Sequence, residues 1–286
     1  MISKWIIKNT GSLAGKRVAI SGATGGIGNE LCFYLASLGA SLVLLDRNIE
    51  KSRALAERIR EKYRGAELSH IKVDMENVND VKAAADALCE LGIDYLILNA
   101  GAYSIPRHKC ESGYDNVFQI NFISPYYLAR RLLSGISERG GRVVVVSSIA
   151  HGYSESDPGD VDFSERRKAG LVYGNAKRYL TFSLCDSENV VIAHPGISFT
   201  GITAHYKKWI YAIIKYPMKL IFMHPKKACL SILFALFTEC ERAEWIGPRL
   251  FDVWGMPKKK RLRSYKKEEA DVICAKAEDI FNEFDK

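Results

Sequence analysis

The chain has 286 residues, 48% hydrophobic and 26% charged, a balance that excludes a disordered or fibrous protein and suffices to bury a full core. An excess of 41 Lys+Arg over 33 Asp+Glu gives a formal charge of +8. That charge admits anionic partners such as a dinucleotide, an acidic lipid or nucleic acid.

Trp5-Ile6-Ile7 is bracketed by Lys4 and Lys8 and is too short for the apolar core of a secretory signal. From there to about residue 193, short β-branched runs alternate with segments of helical period. Strands are predicted at 17–21, 41–46, 68–73, 94–98, 141–147 and 189–193. Between them the apolar residues recur at helical spacing, as in Ile27, Leu31, Leu35 and Leu38. This alternation predicts an α/β fold with helices on both faces of a parallel sheet.

After Pro195 an aromatic stretch leads to a predicted helix over 226–241 and a last strand over 248–254. A terminal helix of unassigned role is predicted over 268–284. We read one domain over 1–286: a core at about 14–200, a substrate cap with the last strand at about 201–257, and a basic tail with the terminal helix at 258–286. The run Lys258-Lys259-Lys260-Arg261-Leu262-Arg263, followed by Lys266 and Lys267, reads as a solvated tail, with phosphate or membrane-surface contact as the alternative, and no nucleic-acid partner is expected.

Residues 209–237 are apolar but interrupted, and the longest clean piece, Ala228 to Phe237, falls short of the roughly 20 residues of a spanning helix. No transmembrane segment is expected. Peripheral membrane contact through an amphipathic face is a weaker reading than a lid over an apolar pocket. The seven cysteines show neither Cys-x-x-Cys nor Cys-plus-His spacing, so we expect reduced thiols, a cytoplasmic location and no metal.

The first strand runs into Gly22-Ala23-Thr24-Gly25-Gly26-Ile27-Gly28, directly before a helix. Glycines there let a pyrophosphate approach the free N–H groups and the positive dipole end of the helix. A tight turn that merely joins strand to helix is the plain alternative. Asp46 ends the second strand, where a carboxylate accepts from ribose hydroxyls and repels a 2′-phosphate, favouring NAD. Arg47 beside it could pair with that phosphate, which would favour NADP.

Tyr173-Gly174-Asn175-Ala176-Lys177 sets a phenol and an ammonium one turn apart on one helix face. A phenol of pKa about 10 is a poor acid or base at neutral pH unless a cation stabilises its phenolate. Lys177 is expected to supply that charge.

The G-x-x-x-G-x-G spacing, with Asn99-Ala100-Gly101, Asn121, Ser148, Tyr-x-x-x-Lys and Pro195-Gly196 in this order over 17–200, resembles the short-chain dehydrogenase/reductase family. The resemblance implies a Rossmann-type, doubly wound parallel sheet and an NAD(P) cofactor. It places Gly22, Thr24, Gly26, Ile27 and Gly28 at the dinucleotide, Asp74 and Met75 by its adenine, and Asn99, Ala100 and Gly101 along it. Pro195 and Gly196 would pack on the nicotinamide, and Thr200 would contact its carboxamide.

Tyr173 would be the general acid/base, with Lys177 also gripping the nicotinamide ribose. Ser148, rather than Ser147, would orient the carbonyl, and Asn121 would hold a proton-relay water.

Two departures stand out. Ser148 and Tyr173 lie 25 residues apart, farther than in much of the family. This insertion, with His194-Pro195-Gly196, resembles the retinol dehydrogenase and protochlorophyllide reductase branch, which implies lipophilic carbonyl or alcohol substrates. The segment from Lys177 to Asn189 is short, so a monomer or an unusual homodimer is expected. The competing reading is a catalytically weak, dinucleotide-binding redox sensor.

Overall fold

The computed structural model describes residues 2–166, 168–198 and 222–285. The β-branched runs form strands β1 (Arg17–Ser21), β2 (Ser41–Asp46), β3 (Leu68–Lys72), β4 (Tyr95–Leu98), β5 (Arg142–Val146) and β6 (Val190–Ala193). Two more, β7 (Glu244–Leu250) and β8 (Trp254–Arg261), complete an eight-stranded sheet of order β3-β2-β1-β4-β5-β6-β7-β8. Strands β1 to β7 run parallel, and β8 returns antiparallel on β7. The winding direction reverses between β1 and β4, which opens a crevice at the carboxyl ends of the strands.

The helices are α1 (Ile2–Asn9), α2 (Gly26–Ser37), α3 (Ile49–Lys62), α4 (Val78–Leu91), α5 (Asn116–Phe118), α6 (Ser124–Glu138), α7 (Ala169–Leu184), α8 (Pro225–Ala228), α9 (Leu230–Ala235) and α10 (Lys267–Phe284). A π segment, Gln119–Ile123, joins α5 to α6. Because strand side chains alternate in direction, Ala19, Val43, Leu96, Val145 and Ile192 meet α4, α6, α7 and α10 on one face. Val18, Leu44, Ile97, Val144 and Val191 meet α1, α2, α3 and α9 on the other. Both faces are buried, so the strands read as continuous apolar runs.

The C-terminal third departs from the sequence expectation. The strand predicted at 248–254 falls on the end of β7 and the start of β8, with a hairpin turn between them in which Phe251 and Asp252 lie in the left-handed region (φ 51° and 58°). Residues 244–257 therefore belong to the sheet rather than to a cap. The basic run is not a tail: Lys258 to Arg261 lie in β8, where Lys259 pairs with Glu244 at 3.1 Å and Lys260 with Asp252 at 2.5 Å. Lysines suit an edge strand because they discourage pairing with another chain, and this purpose hides the strand from an apolar pattern. The helix predicted over 226–241 is two short ones, α8 and α9.

All seven cysteines are free. Among the described residues no helix is long and apolar enough to cross a membrane.

Where the π segment meets α7, Phe118, Phe122, Tyr126 and Tyr179 form an aromatic cluster with ring centroids 4.9–5.4 Å apart. Phe122 is fully buried at its centre. Truncation to alanine leaves a cavity, so Phe122→Ala is expected to cost about 3–5 kcal/mol in urea unfolding.

Candidate active site

A cavity of about 1370 Å³ occupies the crevice. Its walls include Gly22, Thr24, Gly26, Ile27, Gly28, Asp46, Arg47, Asp74, Met75, Asn99, Ala100 and Gly101. Farther along stand Ser148, Tyr173, Lys177, Pro195 and Gly196. Residues scattered over the sequence thus meet in one place. Asn121 sits behind the wall, and Thr200 lies outside the described residues.

The glycine turn is built by close approach. Gly22 has φ +66°, and a Cβ on it would stand 3.0 Å from Ala100 Cα; a Cβ on Gly28 would stand 2.3 Å from the Gly22 oxygen. Side chains at either position would push the first turn of α2 away from β1 and β4. Asn99 secures the same turn, its Nδ2 donating to the carbonyls of Ser21 and Gly22, both at 3.0 Å.

At the end of β2, Asp46 is 4% exposed. Its Oδ1 accepts from the Thr24 amide at 3.1 Å and the Thr24 hydroxyl at 2.9 Å, while its Oδ2 is buried without a partner. A buried carboxylate oxygen without a donor is costly, so this atom calls for a hydroxyl from a ligand. The largely exposed Arg47 faces two carboxylates instead, Asp74 at 3.7 Å and Glu76 at 3.9 Å.

Glu76, His108 and Cys110 place one ligand atom each within 4.8 Å of one another. Asn116 Nδ2 donates to the Pro106 carbonyl at 3.0 Å and meets His108 Nδ1 at 3.2 Å. The His108 Nε2 faces Glu76 at 3.0 Å. A hydrogen bond therefore accounts for the approach of His108 to Glu76.

At the other end of the cavity, the two serines after β5 part ways. Ser147 Oγ is buried against Thr181 Oγ1 at 2.6 Å. Ser148 caps the short turn Ile149–Gly152, accepting from the Ala150 amide at 3.2 Å, and lies near enough to Tyr173 to lower its phenol somewhat. Tyr103 packs edge-on against Tyr173, with ring centroids 5.3 Å apart.

Lys177 Nζ lies 5.8 Å from the Tyr173 ring centroid and donates to the Val146 carbonyl at 3.0 Å. Burial pushes the Tyr173 phenol up to about 12, against the lowering effect of Ser148. Burial also brings Lys177 down to about 8. The expected acidification of the phenol by Lys177 is thus absent from the protein alone. The ammonium sits over the ring and is engaged by a backbone carbonyl, and desolvation outweighs it.

Asn121, in the π segment, donates from Nδ2 to the carbonyls of Ala102 and Val117 at 2.8 Å, and its Oδ1 accepts from the Ala102 amide at 3.2 Å. It clamps the chain just beyond Asn-Ala-Gly. π-Bulges of this kind are frequent at functional sites.

Sequence reasoning missed Tyr103, whose signal is its place two residues beyond Gly101. It also gave no role to the imidazoles that flank Trp245, His194 stacked at 5.5 Å and His151 edge-on at 5.3 Å. Burial lowers both to about 4, so they stand neutral.

A doubly wound sheet whose crevice joins a glycine turn to a serine, a tyrosine and a lysine defines a class, the dinucleotide-dependent oxidoreductases. A family model of the short chain dehydrogenases matches residues 16–156. Retinol dehydrogenase 11 of Homo sapiens is 26% identical, over 84% of this chain and 78% of that protein. The short chain dehydrogenase rstn4 of Aspergillus nomiae is 33% identical over 50% of this chain, which spans 42% of that relative's length.

A solved structure from Mycobacterium Paratuberculosis, described as an uncharacterized protein, shares the fold with a TM-score of 0.77 at 23% identity, covering 96% of both chains. The chain is thus similar to the short chain dehydrogenases over residues 16–156, and retinol dehydrogenase 11 is among its relatives.

Proposed function

We propose that the protein moves hydride between NAD, in preference to NADP, and the carbonyl or alcohol carbon of an apolar small molecule. One observation carries this reading: Tyr173, Ser148 and Lys177 share a single cavity with the glycine turn. The residues present fit an adenine dinucleotide. The turn leaves backbone room for phosphates, and the orphaned Asp46 Oδ2 suits a ribose hydroxyl and opposes a 2′-phosphate. Arg47 faces Asp74 and Glu76, which leaves Lys51 on the cavity wall as the cation that would favour a 2′-phosphate.

Bound there, the nicotinamide would supply or accept the hydride. The chain's own residues manage the accompanying proton. Ser148 would donate to the substrate oxygen and fix its direction. Tyr173, a phenol already protonated at neutral pH and raised further to about 12 by burial, would give its proton to that oxygen in reduction. Lys177 would place a positive charge beside the phenolate left behind, and Asn121 holds the neighbouring backbone. Ile105, Ile149, Leu171 and Phe222 make the substrate end apolar, in keeping with a lipophilic substrate.

The second reading, a dinucleotide-binding sensor with weak turnover, draws on the phenol being raised rather than lowered. A screen of apolar aldehydes and ketones with NADH separates the two, because a sensor binds the dinucleotide and reduces none of them.

Tyr173→Phe is expected to leave NADH affinity within about twofold while lowering kcat by about 10²- to 10⁴-fold, the usual range for a positioned acid. Fluorescence titration and steady-state rates give the two quantities. Lys177 is charged below its value of about 8 and neutral above it. Thus kcat/KM for reduction should stay level through neutral pH and fall above about 8, and Lys177→Met should abolish that limb. Removing the Asp46 carboxylate loses a charge-assisted hydrogen bond of about 1.5–3 kcal/mol. Asp46→Ala is therefore expected to weaken NADH at least about tenfold while sparing NADPH.

A further inference from the structure

Arg178 follows Lys177 on α7, is 5% exposed, and has no part in the hydride-transfer reading. Its Nη1 donates to the His151 carbonyl at 2.7 Å, and its Nε and Nη2 donate to the two carboxylate oxygens of Glu269 on α10, both at 2.5 Å. Glu269 Oε1 also accepts from Ser156 Oγ at 2.9 Å. A forked guanidinium–carboxylate pair fixes direction as well as distance, and this one joins residues 91 apart in the chain.

The His151 carbonyl belongs to the turn capped by Ser148. The His151 imidazole closes the same turn, with Nδ1 on the Ser148 carbonyl at 2.5 Å and Nε2 on Ser264 Oγ at 2.7 Å. Ser154 Oγ donates to the Leu171 carbonyl at 2.9 Å. Gly174 allows the closest approach, since a Cβ there would stand 2.6 Å from the Ala150 oxygen and 2.9 Å from Ser154 Cβ. The Ser148 turn and the start of α7 are thus one packed unit, and the C-terminal segment closes its outer side.

We propose that the C-terminal helix is a brace: Glu269, acting through Arg178, fixes the Ser148 turn against Tyr173 and is a positioning residue for the reaction. The inference rests on the reaction proposed above. Without Glu269 the buried guanidinium would lose its counter-charge and have to turn toward water. It would then release the His151 carbonyl and loosen Ser148 relative to Tyr173. The glycine turn and Asp46 lie across the sheet from this contact and would be untouched.

The far end of α10 provides an internal control. There Asp285 accepts from Tyr127 Oη at 2.8 Å and from Arg131 at 2.7 Å, and neither partner approaches the Ser148 turn.

The experiment compares full-length wild type, Glu269→Ala, Glu269→Gln and Asp285→Ala. It reads the NADH Kd by fluorescence, kcat on a carbonyl that the wild type reduces, Tm, and backbone hydrogen exchange over residues 148–154. Misplacement of reacting groups by about 1 Å costs about 10²-fold. Glu269→Ala is accordingly expected to lower kcat about 10- to 100-fold with NADH Kd within about twofold, and to speed exchange over 148–154. Glu269→Gln, which can still accept from Ser156 and one guanidinium N–H, should fall between. Asp285→Ala should lower Tm yet leave kcat and that exchange near wild type.

Equal kcat losses in the Glu269 and Asp285 variants, or an unchanged kcat in Glu269→Ala, would overturn the brace. If Glu269→Ala does not fold, the same comparison is made with Glu269→Gln. A wild type that turns over no carbonyl would count against the proposed reaction alone, and the exchange comparison would still decide the brace.

Discussion

The contact between the end of β5 and the first turns of α7 governs the rest of the site. Ser148 leaves the sheet and caps a short turn that packs on the start of α7, where Gly174 leaves room for the Ala150 carbonyl and the Ser154 side chain. On the same helix Lys177 stands over the Tyr173 ring, 5.8 Å from its centroid. The dinucleotide half of the cavity is fixed separately, by Asn99 holding the glycine turn to β4. The two halves converge because strand order reverses between β1 and β4.

Electrostatics divides the cavity along the same line. At the adenosine end, Asp46, Asp74 and Glu76 gather negative charge and hold Arg47 among them. The other end carries Lys177 and a set of apolar walls. Burial raises the phenol and lowers the ammonium to about 8, so at neutral pH the tyrosine is protonated and Lys177 still carries its charge. A protonated phenol is the form that reduction requires, so the protein alone is poised to donate a proton rather than to accept one.

The sheet was legible because β-branched runs buried on both faces leave an unambiguous pattern, and the first six strands match within a residue at most ends. The motif residues were legible because their spacing ties them to strand ends and one helix face. What escaped was set by long-range pairing. Strand β8 is an edge strand of lysines, invisible to any apolar periodicity. The role of α10 depends on Glu269 meeting Arg178, and no local signal announces a pair so distant in sequence. The burial that raises Tyr173 and lowers Lys177 was not legible either, because helical spacing gives proximity but not desolvation.

The most direct test of the whole is to follow the label from NADH deuterated at nicotinamide C4 into an apolar aldehyde or ketone reduced by the protein. Direct transfer predicts an alcohol with one deuterium on the former carbonyl carbon, retained in protonated water. An alcohol without that deuterium, or no alcohol despite saturating bound NADH, would contradict hydride transfer in this cavity.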